Sequence, residues 1–290
     1  MKGIILAGGT GSRLYPMTLA VNKQLLPIYN KPLIYYPLSL LIDSGLNDIL
    51  LISTPAALPN FAKLLGDGSH LGIKLSYAAQ AHPDGIAQAL LIARDFLAGD
   101  SACLILGDNI FMALSAVNKV RQASHNLSGA LIFACQVQDP ARYGVLAFDG
   151  AGQVTDIIEK PKLPPSPWAV TGLYCYDASA VERAAQLRPS ARGELEITDL
   201  NLSYLHSHNL QVHCLPRGSA WLDAGTPGSL LDAADYIRVL ETRQGQLYGS
   251  PELSAYQQGF IKRTQLLTLG QAQSGTAYGQ MLVEIAQERG

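Results

Sequence analysis

The amino-acid sequence predicts an α/β fold in which helices flank a mostly parallel, Rossmann-like central sheet. In the first half of the chain, short apolar runs alternate with segments whose apolar residues recur three and four positions apart. A turn of Gly, Asp or Pro separates each run from the helical segment beside it. Near-continuous apolar strands separated by helices are typical of a parallel sheet that is covered on both faces. We therefore expect one dominant domain built around such a sheet.

The predicted elements change in character near residue 129. Before it, we predict strands over residues 3–7, 48–53, 74–78 and 102–106 and helices over residues 33–44, 86–96 and 114–124. After it, we predict closely spaced strands over residues 131–137, 143–148, 154–158 and 169–176, interrupted by the Pro-rich segment 161–167. Such close spacing favours an antiparallel extension of the same sheet.

The last third of the chain is predicted to be mainly helical. Helical patterns cover residues 179–187 and 197–207, and a short strand pattern covers residues 212–215. Beyond Gly225, amphipathic patterns over residues 230–241 and 253–261 predict a helical C-terminal cap. We therefore divide the chain into a core of residues 1–226, which includes the extension at about 129–222, and a helical region of residues 227–290.

Composition excludes several classes of protein. Of the 290 residues, 48% are hydrophobic and 15% charged, and the net charge is -2, which is typical of a folded cytosolic enzyme. There is no basic surface for nucleic acid and no apolar run near the roughly 18 residues that span a bilayer. The four cysteines, Cys103, Cys135, Cys175 and Cys214, lack metal-type spacing and are expected to be reduced core thiols. We expect a soluble cytoplasmic protein without nucleic-acid or membrane partners.

A glycine-rich turn follows the first predicted strand. Gly8, Gly9 and Gly11 fall where a parallel sheet presents its carboxyl edge to ligands, and Arg13 can offer a forked cation to phosphate oxygens. It is not a phosphate-binding P-loop, and Leu14 occupies the third glycine position of the dinucleotide fingerprint. A tight turn without a ligand is the alternative, but three glycines and an arginine at a strand end favour a phosphate cradle.

Taken with the residues that follow it, this turn resembles the opening signature of the sugar-nucleotide pyrophosphorylases. The signature comprises Gly8-Gly-x-Gly11-x-Arg13-Leu-x-Pro-x-Thr18, Lys23-Gln-Leu-Leu-Pro27 and Lys31-Pro32. Further blocks stand in the family's order: Gln80 with Pro83-Asp-Gly85, Leu106-Gly-Asp108-Asn109, Arg142-Tyr-Gly144-Val, Glu159-Lys160-Pro161, Ala169-Val170-Thr-Gly172-Leu-Tyr174, Arg192-Gly-Glu194-Leu-Glu196-Ile-Thr-Asp199 and Trp221-Leu-Asp223-x-Gly225-Thr226. The resemblance therefore covers nearly the whole chain.

Within that family the sequence is most similar to members that use dTTP and glucose 1-phosphate. The resemblance implies Mg²⁺-dependent formation of dTDP-glucose and diphosphate, the first step toward dTDP-deoxysugars such as dTDP-rhamnose, by a homotetramer. A sugar phosphate oxygen must attack the α-phosphorus of a triphosphate although both partners are anions. Catalysis then consists largely of alignment and charge neutralisation, without a covalent nucleophile.

The resemblance also assigns roles to individual residues. Catalytic cations would be Arg13, Lys23 and Lys160, and Mg²⁺ would bind Asp108 and Asp223. The nucleotide would contact Leu6, Gly8, Gly9, Gly11, Ser12, Arg13, Lys23, Gln80, Gly85 and Asp108. The sugar phosphate would contact Asn109, Tyr143, Gly144, Glu159, Lys160, Val170, Tyr174 and Arg192. The C-terminal region would supply oligomer and regulatory contacts.

Single residues of this set have simpler explanations. An isolated aspartate more often caps a helix or pairs with a cation. Here, however, Asp108 terminates an apolar strand and Asp223 lies in a Trp-Leu-Asp turn, so both can project toward one cleft. Gln80 could be a surface amide, but its donor and acceptor also suit a pyrimidine imide edge. In isolation, Tyr174 would be a core aromatic residue.

Three other functions compete with thymidylyl transfer. A UTP-preferring uridylyltransferase is nearest, because the thymine methyl group is worth only about 1 to 3 kcal/mol of discrimination. A non-catalytic nucleotide-sugar sensor on the same fold is second. It would not need Arg13, Lys23, Asp108, Lys160 and Asp223 together. A nicotinamide oxidoreductase is disfavoured by the missing third glycine and by the lack of an acidic residue at the expected distance.

The regulatory contacts depart from the family pattern at two places. Enzymes of this type carry a second nucleotide site that involves a Tyr-Gly-His stretch after the Gly-Asp-Asn block and a C-terminal arginine. Here Met112-Ala-Leu-Ser115 follows that block, and Gln257 stands where the arginine is expected. A lost guanidinium removes a bond worth roughly 1.5 to 3 kcal/mol, so we expect weaker feedback inhibition unless Lys262 or Arg263 compensates.

Overall fold

A computed structural model describes residues 1–288, and a nine-stranded sheet forms its centre. The strands are β1 (Lys2–Ala7), β2 (Pro27–Ile28), β3 (Lys31–Pro32), β4 (Asp48–Ser53), β5 (Lys74–Ala79), β6 (Ala102–Leu106), β7 (Asn109–Met112), β8 (Ala130–Gln136), β9 (Gly144–Phe148), β10 (Val154–Glu159), β11 (Trp168–Tyr176), β12 (Leu210–Cys214) and β13 (Ala220–Asp223). The helices are α1 (Tyr35–Asp43), α2 (Leu58–Leu65), α3 (Gln88–Ile92), α4 (Arg94–Leu97), α5 (Leu114–His125), α6 (Ala180–Ala185), α7 (Ile197–His206), α8 (Pro227–Gln244), α9 (Pro251–Gln257), α10 (Arg263–Gln271) and α11 (Ala277–Gln287).

The first half of the sheet is parallel, as predicted. Strands β6, β1, β4 and β5 are neighbours in that order, and Leu6 of β1 lies opposite Leu106 of β6 and Ile52 of β4. Their apolar side chains are buried on both faces because helices cover both sides. The carboxyl ends of β1, β5 and β6 therefore meet at one edge, where the glycine-rich turn, Gln80 and Asp108 follow them.

The predicted antiparallel extension continues this sheet. Strand β11 pairs antiparallel with β6, β8 and β9, and β9 pairs antiparallel with β10. Two details differ from the prediction. Strand β12 runs parallel to β8, and Asp223 does not lie in a turn. It ends β13, which pairs with β7 in a separate ribbon that places Asp223 opposite Asn109. The turn assignment was wrong because this pairing joins segments far apart in the chain.

Strand β11 contains a bulge beside the ribbon. Val170 lies opposite Ala134 of β8, whereas Tyr174 lies opposite Ile132. The step on β11 thus spans four residues where the step on β8 spans two. Extra residues in one strand leave backbone groups outside the ladder, and bulges often re-aim groups at functional sites. Here the bulge releases the N–H of Gly172.

Residues 227–288 contain four helices joined by short loops and no strand, in agreement with the predicted helical region, and residues 289–290 lie outside the described part. Helix α8 begins with a capping box between Thr226 and Ser229. Helices α2, α10 and α11 were not predicted, and the helix predicted over residues 86–96 is divided at Ala93 into α3 and α4. Within residues 1–288, no helix is both long and apolar enough to cross a bilayer.

The core has two main layers, one on each face of the sheet. One layer packs residues such as Ile5 and Phe133 against α1, α5 and the C-terminal helices, and the other packs Ile4 and Tyr176 against α3, α6 and α7. All four cysteines are free thiols. Cys103 and Cys175 are buried as predicted. Cys135 and Cys214 are only half-buried, and they lie near the ends of β8 and β12.

A buried ion pair joins the chain next to the glycine-rich turn to α8. The Lys31 Nζ atom lies 2.7 Å from Oε1 of Glu241, and both side chains are at most 3% exposed. Asn30 and the backbone N–H of Tyr248 also donate to Glu241. Burial lowers the pKa of Lys31, and the hydrogen bond and charge of Glu241 oppose that shift. The pair fastens α8 to the segment that follows the glycine-rich turn.

We predict that Lys31→Met lowers the free energy of unfolding by about 3 to 5 kcal/mol, because Glu241 stays buried without its cation. Urea unfolding measures this loss. Arg238→Met is the matched control, since it removes an exposed pair with Asp235 on the same helix and should cost less than about 1 kcal/mol. Equal losses in the two variants would contradict an anchoring role for Lys31.

Candidate active site

Two adjoining cavities open at the carboxyl edge of the sheet. The extension-side cavity has a volume of about 280 Å³ and lies against β9, β10 and β11. The turn-side cavity has a volume of about 310 Å³ and lies against the glycine-rich turn. Both are lined by Arg13, Ile86, Leu106, Asp108 and Glu194. Two ligands bound in these cavities would therefore meet beside Arg13 and Asp108.

All but two of the predicted site residues line one or both of these cavities. The turn-side cavity is lined by the predicted nucleotide contacts Leu6, Gly8, Gly9, Arg13, Lys23, Gln80, Gly85 and Asp108. The extension-side cavity is lined by all the predicted sugar-phosphate contacts, Asn109, Tyr143, Gly144, Glu159, Lys160, Val170, Tyr174 and Arg192, together with Asp223. Gly11 and Ser12 line neither cavity, because they turn the chain into a short 3₁₀ segment that presents Arg13.

The glycines of the turn meet two different needs. Gly9 and Gly11 have φ angles of 88° and 65°, which glycine adopts without strain. Gly8 is needed for space, since a Cβ atom there would lie 2.2 Å from Oε1 of Gln80. The turn therefore brings its backbone directly against the Gln80 amide.

A chain of side-chain amides fixes the orientation of Gln80, which is only 4% exposed. Its Nε2 donates to Oε1 of Gln88 at 2.7 Å, and Nε2 of Gln88 donates to Oδ2 of Asp84 at 2.8 Å. An ionised carboxylate only accepts, so Asp84 sets the direction of both amides. The carbonyl oxygen of Gln80 is thereby left facing Gly8 and the turn-side cavity.

The segment around Gly85 packs against Leu195, in the loop between the two cavities. The φ of Gly85 is 109°, and a Cβ atom there would lie 2.3 Å from the carbonyl oxygen of Leu195. The N–H of Leu195 donates to the carbonyl of Asp84 at 2.7 Å, and Ala87 donates to the carbonyl of Leu195 at 3.2 Å. The close approach at Gly85 is thus to the loop that carries Arg192 and Glu194.

Asp108 is held as a carboxylate by its neighbours. Lys23 forms a short ion pair with its Oδ2, and Nδ2 of Asn109 donates to its Oδ1 at 3.1 Å. Burial alone would raise the pKa of Asp108, but the charge and hydrogen bond of Lys23 outweigh burial and hold that pKa below its usual value. Asp108 therefore remains ionised at neutral pH.

Asp223 stands close to the same cations. Burial and the negative charge of Asp108 raise its pKa, and the charges of Lys23, Arg13 and Arg142 oppose that shift. Arg142 Nη2 lies 3.6 Å from its Oδ2. A Cβ atom added to Gly225 would lie 3.0 Å from both Asp223 Oδ1 and Arg13 Nη2, so these two groups flank the same glycine. The carboxylates of Asp108 and Asp223 are therefore surrounded by the cations Lys23, Arg13 and Arg142.

Glu159 organises the cations of the extension-side cavity. Lys160 Nζ lies 3.1 Å from its Oε1, and Arg192 Nη2 lies 3.4 Å from the same oxygen. Thr198 Oγ1 donates to its Oε2 at 2.6 Å. Arg192 pairs more closely with Glu196, with both oxygens 2.8 Å from Nη2. Lys160 and Arg192 therefore lie beside Glu159, whose carboxylate can also accept hydrogen bonds from hydroxyl groups.

Several cavity residues were not predicted as site residues. Those with polar or aromatic side chains include Gln24, Arg142, Glu194, Glu196, Thr198 and Trp221. Gln24 is 2% exposed, and its Oε1 has no hydrogen-bond partner within residues 1–288. Its place in the block Lys23-Gln-Leu-Leu-Pro27 was the signal in the sequence. A buried, unpartnered carbonyl oxygen at a cavity wall is suited to accept from a ligand hydroxyl or amine.

The chain belongs to the Nucleotidyl transferase family, whose sequence pattern matches residues 2–239. It is 51% identical to the glucose-1-phosphate thymidylyltransferase of Mycolicibacterium smegmatis, over 98% of this chain and 99% of that protein. It is 52% identical to the protein of the same name from Xanthomonas campestris, over 98% and 97%. These findings confirm the resemblance drawn from the motifs.

Solved structures agree with this assignment. A Bacillus anthracis protein described as a glucose-1-phosphate thymidylyltransferase, crystallised with sucrose, superposes with a TM-score of 0.77 at 42% identity, covering 82% of this chain and 95% of that one. A UDP-glucose pyrophosphorylase complexed with UDP-glucose superposes with a TM-score of 0.68 at 20% identity, covering 82% and 98%. The second likeness concerns the fold alone.

We predict that Gly85→Ala separates the loop before α3 from the loop that carries Arg192, because its Cβ atom would collide with Leu195. Amide hydrogen exchange at Ala87 and Leu195 should become faster. Gly99→Ala is the control, since Gly99 has a similar φ of 87° but open space around it. If exchange at these two amides were unchanged in Gly85→Ala, the junction would not depend on this glycine.

Proposed function

We propose that the chain catalyses dTTP + α-D-glucose 1-phosphate → dTDP-glucose + diphosphate. The observation that carries the proposal is the meeting of two cavities beside Arg13 and Asp108. The turn-side cavity is suited to a nucleotide, since glycine backbone and cations line it. The extension-side cavity is suited to a sugar phosphate, since Lys160 and Arg192 stand beside Glu159. The names of the relatives support the same pair of substrates.

The proposed reaction is a single displacement. An oxygen of the sugar phosphate attacks the α-phosphorus of dTTP, the new P–O bond forms, and the bond to the β-phosphate oxygen breaks. Diphosphate leaves with the electron pair of that bond, and no covalent enzyme intermediate is needed. Arg13 and Lys23 offset the charge of the transferring and leaving phosphates, and Lys160 binds the sugar phosphate.

Base recognition depends on the fixed Gln80 amide. Its free carbonyl oxygen is suited to accept the imide N–H of thymine or uracil, whereas cytosine offers no N–H at that ring position. The thymine methyl group adds only an apolar contact, worth about 1 to 3 kcal/mol. Gln80 therefore supports a pyrimidine imide, and the preference for dTTP over UTP rests on the relatives.

We also propose Mg²⁺ as the metal. Asp108 and Asp223 supply two carboxylates, and no group of three or more potential His, Cys, Asp or Glu ligands exists within residues 1–288. A small number of carboxylates suits Mg²⁺, whose other positions are filled by substrate phosphates and water. When bound there, Mg²⁺ would reduce the negative charge of the triphosphate. Lys23 would keep Asp108 in place.

We propose in addition that the enzyme acts as a homotetramer in the cytoplasm and feeds the synthesis of dTDP-deoxysugars such as dTDP-rhamnose. Apolar side chains remain exposed on α8, where Leu231 is 64% and Val239 46% exposed. Such side chains are suited to contacts between copies of the chain. The second nucleotide site is proposed to be weakened by the departures at residues 112–115 and at Gln257. Of the two cations that could compensate, Lys262 and Arg263, the second donates to the carbonyls of Ala286 and Glu288.

The proposed activity is tested by diphosphate release with dTTP or UTP at equal, low concentration, together with Mg²⁺ and glucose 1-phosphate. We predict a higher initial rate with dTTP. A higher rate with UTP would make the chain a uridylyltransferase. No diphosphate from either nucleotide would favour a nucleotide-sugar sensor.

We predict different kinetic effects for two cations. Lys160→Ala should mainly raise the KM for glucose 1-phosphate, because Lys160 binds the substrate in the ground and transition states alike. Arg13→Ala should chiefly lower kcat, because Arg13 meets charge that shifts during the reaction. Steady-state kinetics with each substrate varied gives both values. An unchanged KM and kcat in Lys160→Ala would remove that lysine from the site.

A further inference from the structure

The Asn109 side chain is oriented by two donors. It is 2% exposed, and its Oδ1 accepts from the indole Nε1 of Trp221 at 2.6 Å and from the backbone N–H of Gly172 at 3.1 Å. Both groups only donate, so this atom must be the amide oxygen. The Nδ2 group consequently faces Asp108, to whose Oδ1 it donates at 3.1 Å.

The Gly172 donor exists because of the bulge in β11. The bulge takes its N–H out of the ladder with β8, and glycine allows the strand to approach the amide closely. A Cβ atom at this position would lie 2.5 Å from Oδ1 of Asn109. The contact between Gly172 and Asn109 therefore depends on the bulge in β11 and on the lack of a side chain at Gly172.

Trp221 is itself held firmly. It lies opposite Phe111 in the pairing of β13 with β7, and its ring meets Tyr143 edge-on with the centroids 4.9 Å apart. The Tyr143 hydroxyl lies 3.5 Å from Oδ2 of Asp223. The indole thus connects neighbours of both carboxylates, one through Asn109 and one through Tyr143.

We propose that Trp221 is a positioning residue for the Asp108 carboxylate and acts through Asn109. This inference rests on the proposed function, in which Asp108 binds the metal. Lys23 holds one oxygen of Asp108, and Asn109 holds the other. Without the indole N–H, the Asn109 amide loses a partner that fixes its direction, and Asp108 is free to rotate about its remaining ion pair. Such outer contacts typically change metal affinity by about 10- to 100-fold.

The test is Mn²⁺ binding to the full-length protein, without substrates, measured by electron paramagnetic resonance. We expect Trp221→Phe, which keeps an aromatic ring but lacks the N–H, to raise the dissociation constant about ten-fold. Trp168→Phe is the matched control, because Trp168 lies on β11 outside both cavities. The Mn²⁺ affinity of this variant should equal that of the wild type. Asp223→Asn removes the charge of a proposed metal ligand and shows how weak Mn²⁺ binding becomes when the site itself is damaged.

Gly172→Ala provides an independent approach to the same amide and keeps the proposal testable if Trp221→Phe does not fold. It should weaken Mn²⁺ binding by a similar factor, and the double variant should be little weaker than either single variant, because both act through Asn109. Circular dichroism confirms that each variant is folded.

Three outcomes would overturn the proposal. One is wild-type Mn²⁺ affinity in both Trp221→Phe and Gly172→Ala. Another is a raised KM for glucose 1-phosphate in Trp221→Phe with unchanged Mn²⁺ affinity, which would mean that the indole contacts the sugar instead. The third is a wild-type protein that binds no Mn²⁺. A weakened Mn²⁺ affinity in the variants of a protein that releases no diphosphate would keep the positioning role and reject the proposed function.

Discussion

The ion pair between Lys23 and Asp108 is the interaction on which the rest of the site depends. It joins the segment after the glycine-rich turn to the end of β6, at the wall shared by the two cavities. Because both side chains are largely buried, removal of either one would leave the other without its ion-pair partner. Asn109 and Asp223 are arranged around this pair.

The sheet explains why these groups meet. Strands β1, β5 and β6 are parallel, so the residues after them converge at one edge. Strand β11 pairs antiparallel with β6 and brings the extension, with Glu159 and Lys160, to that same edge. A parallel half and an antiparallel half joined in one sheet thus place two cavities side by side. Two anionic substrates can then approach one another between groups of opposite charge.

Local patterns identified those parts of the fold that depend on local sequence. The strands at residues 48–53 and 102–106 are continuous apolar runs, and their predicted limits agree with β4 and β6. The glycines of the turn and Asp108 were placed at the carboxyl edge of the sheet because they directly follow apolar strands, and the structure has them at that edge. Family motifs extended the prediction to residues such as Lys160. No periodic pattern in the sequence could have indicated that Lys160 lines a cavity.

What the sequence missed depends on contacts between distant segments. Strand β13 is four residues long and is extended only because it pairs with β7, more than 100 residues earlier in the chain. The same pairing gives Trp221 access to Asn109, so the indole could not be recognised as a donor from its neighbours. Gly85 lines the turn-side cavity, as its predicted nucleotide contact requires, but its close approach to Leu195 is another contact that no local pattern contains.

The central claim is direct transfer between two cavities, and the stereochemistry at the transferred phosphorus tests it most directly. The protein would be incubated with glucose 1-phosphate and one diastereomer of dTTP carrying sulfur at the α-phosphorus, and the configuration of the sugar nucleotide would be determined by ³¹P NMR. A single in-line displacement between the cavities predicts inversion. Retention would show two successive displacements through a nucleotidyl-enzyme intermediate, and would contradict direct transfer.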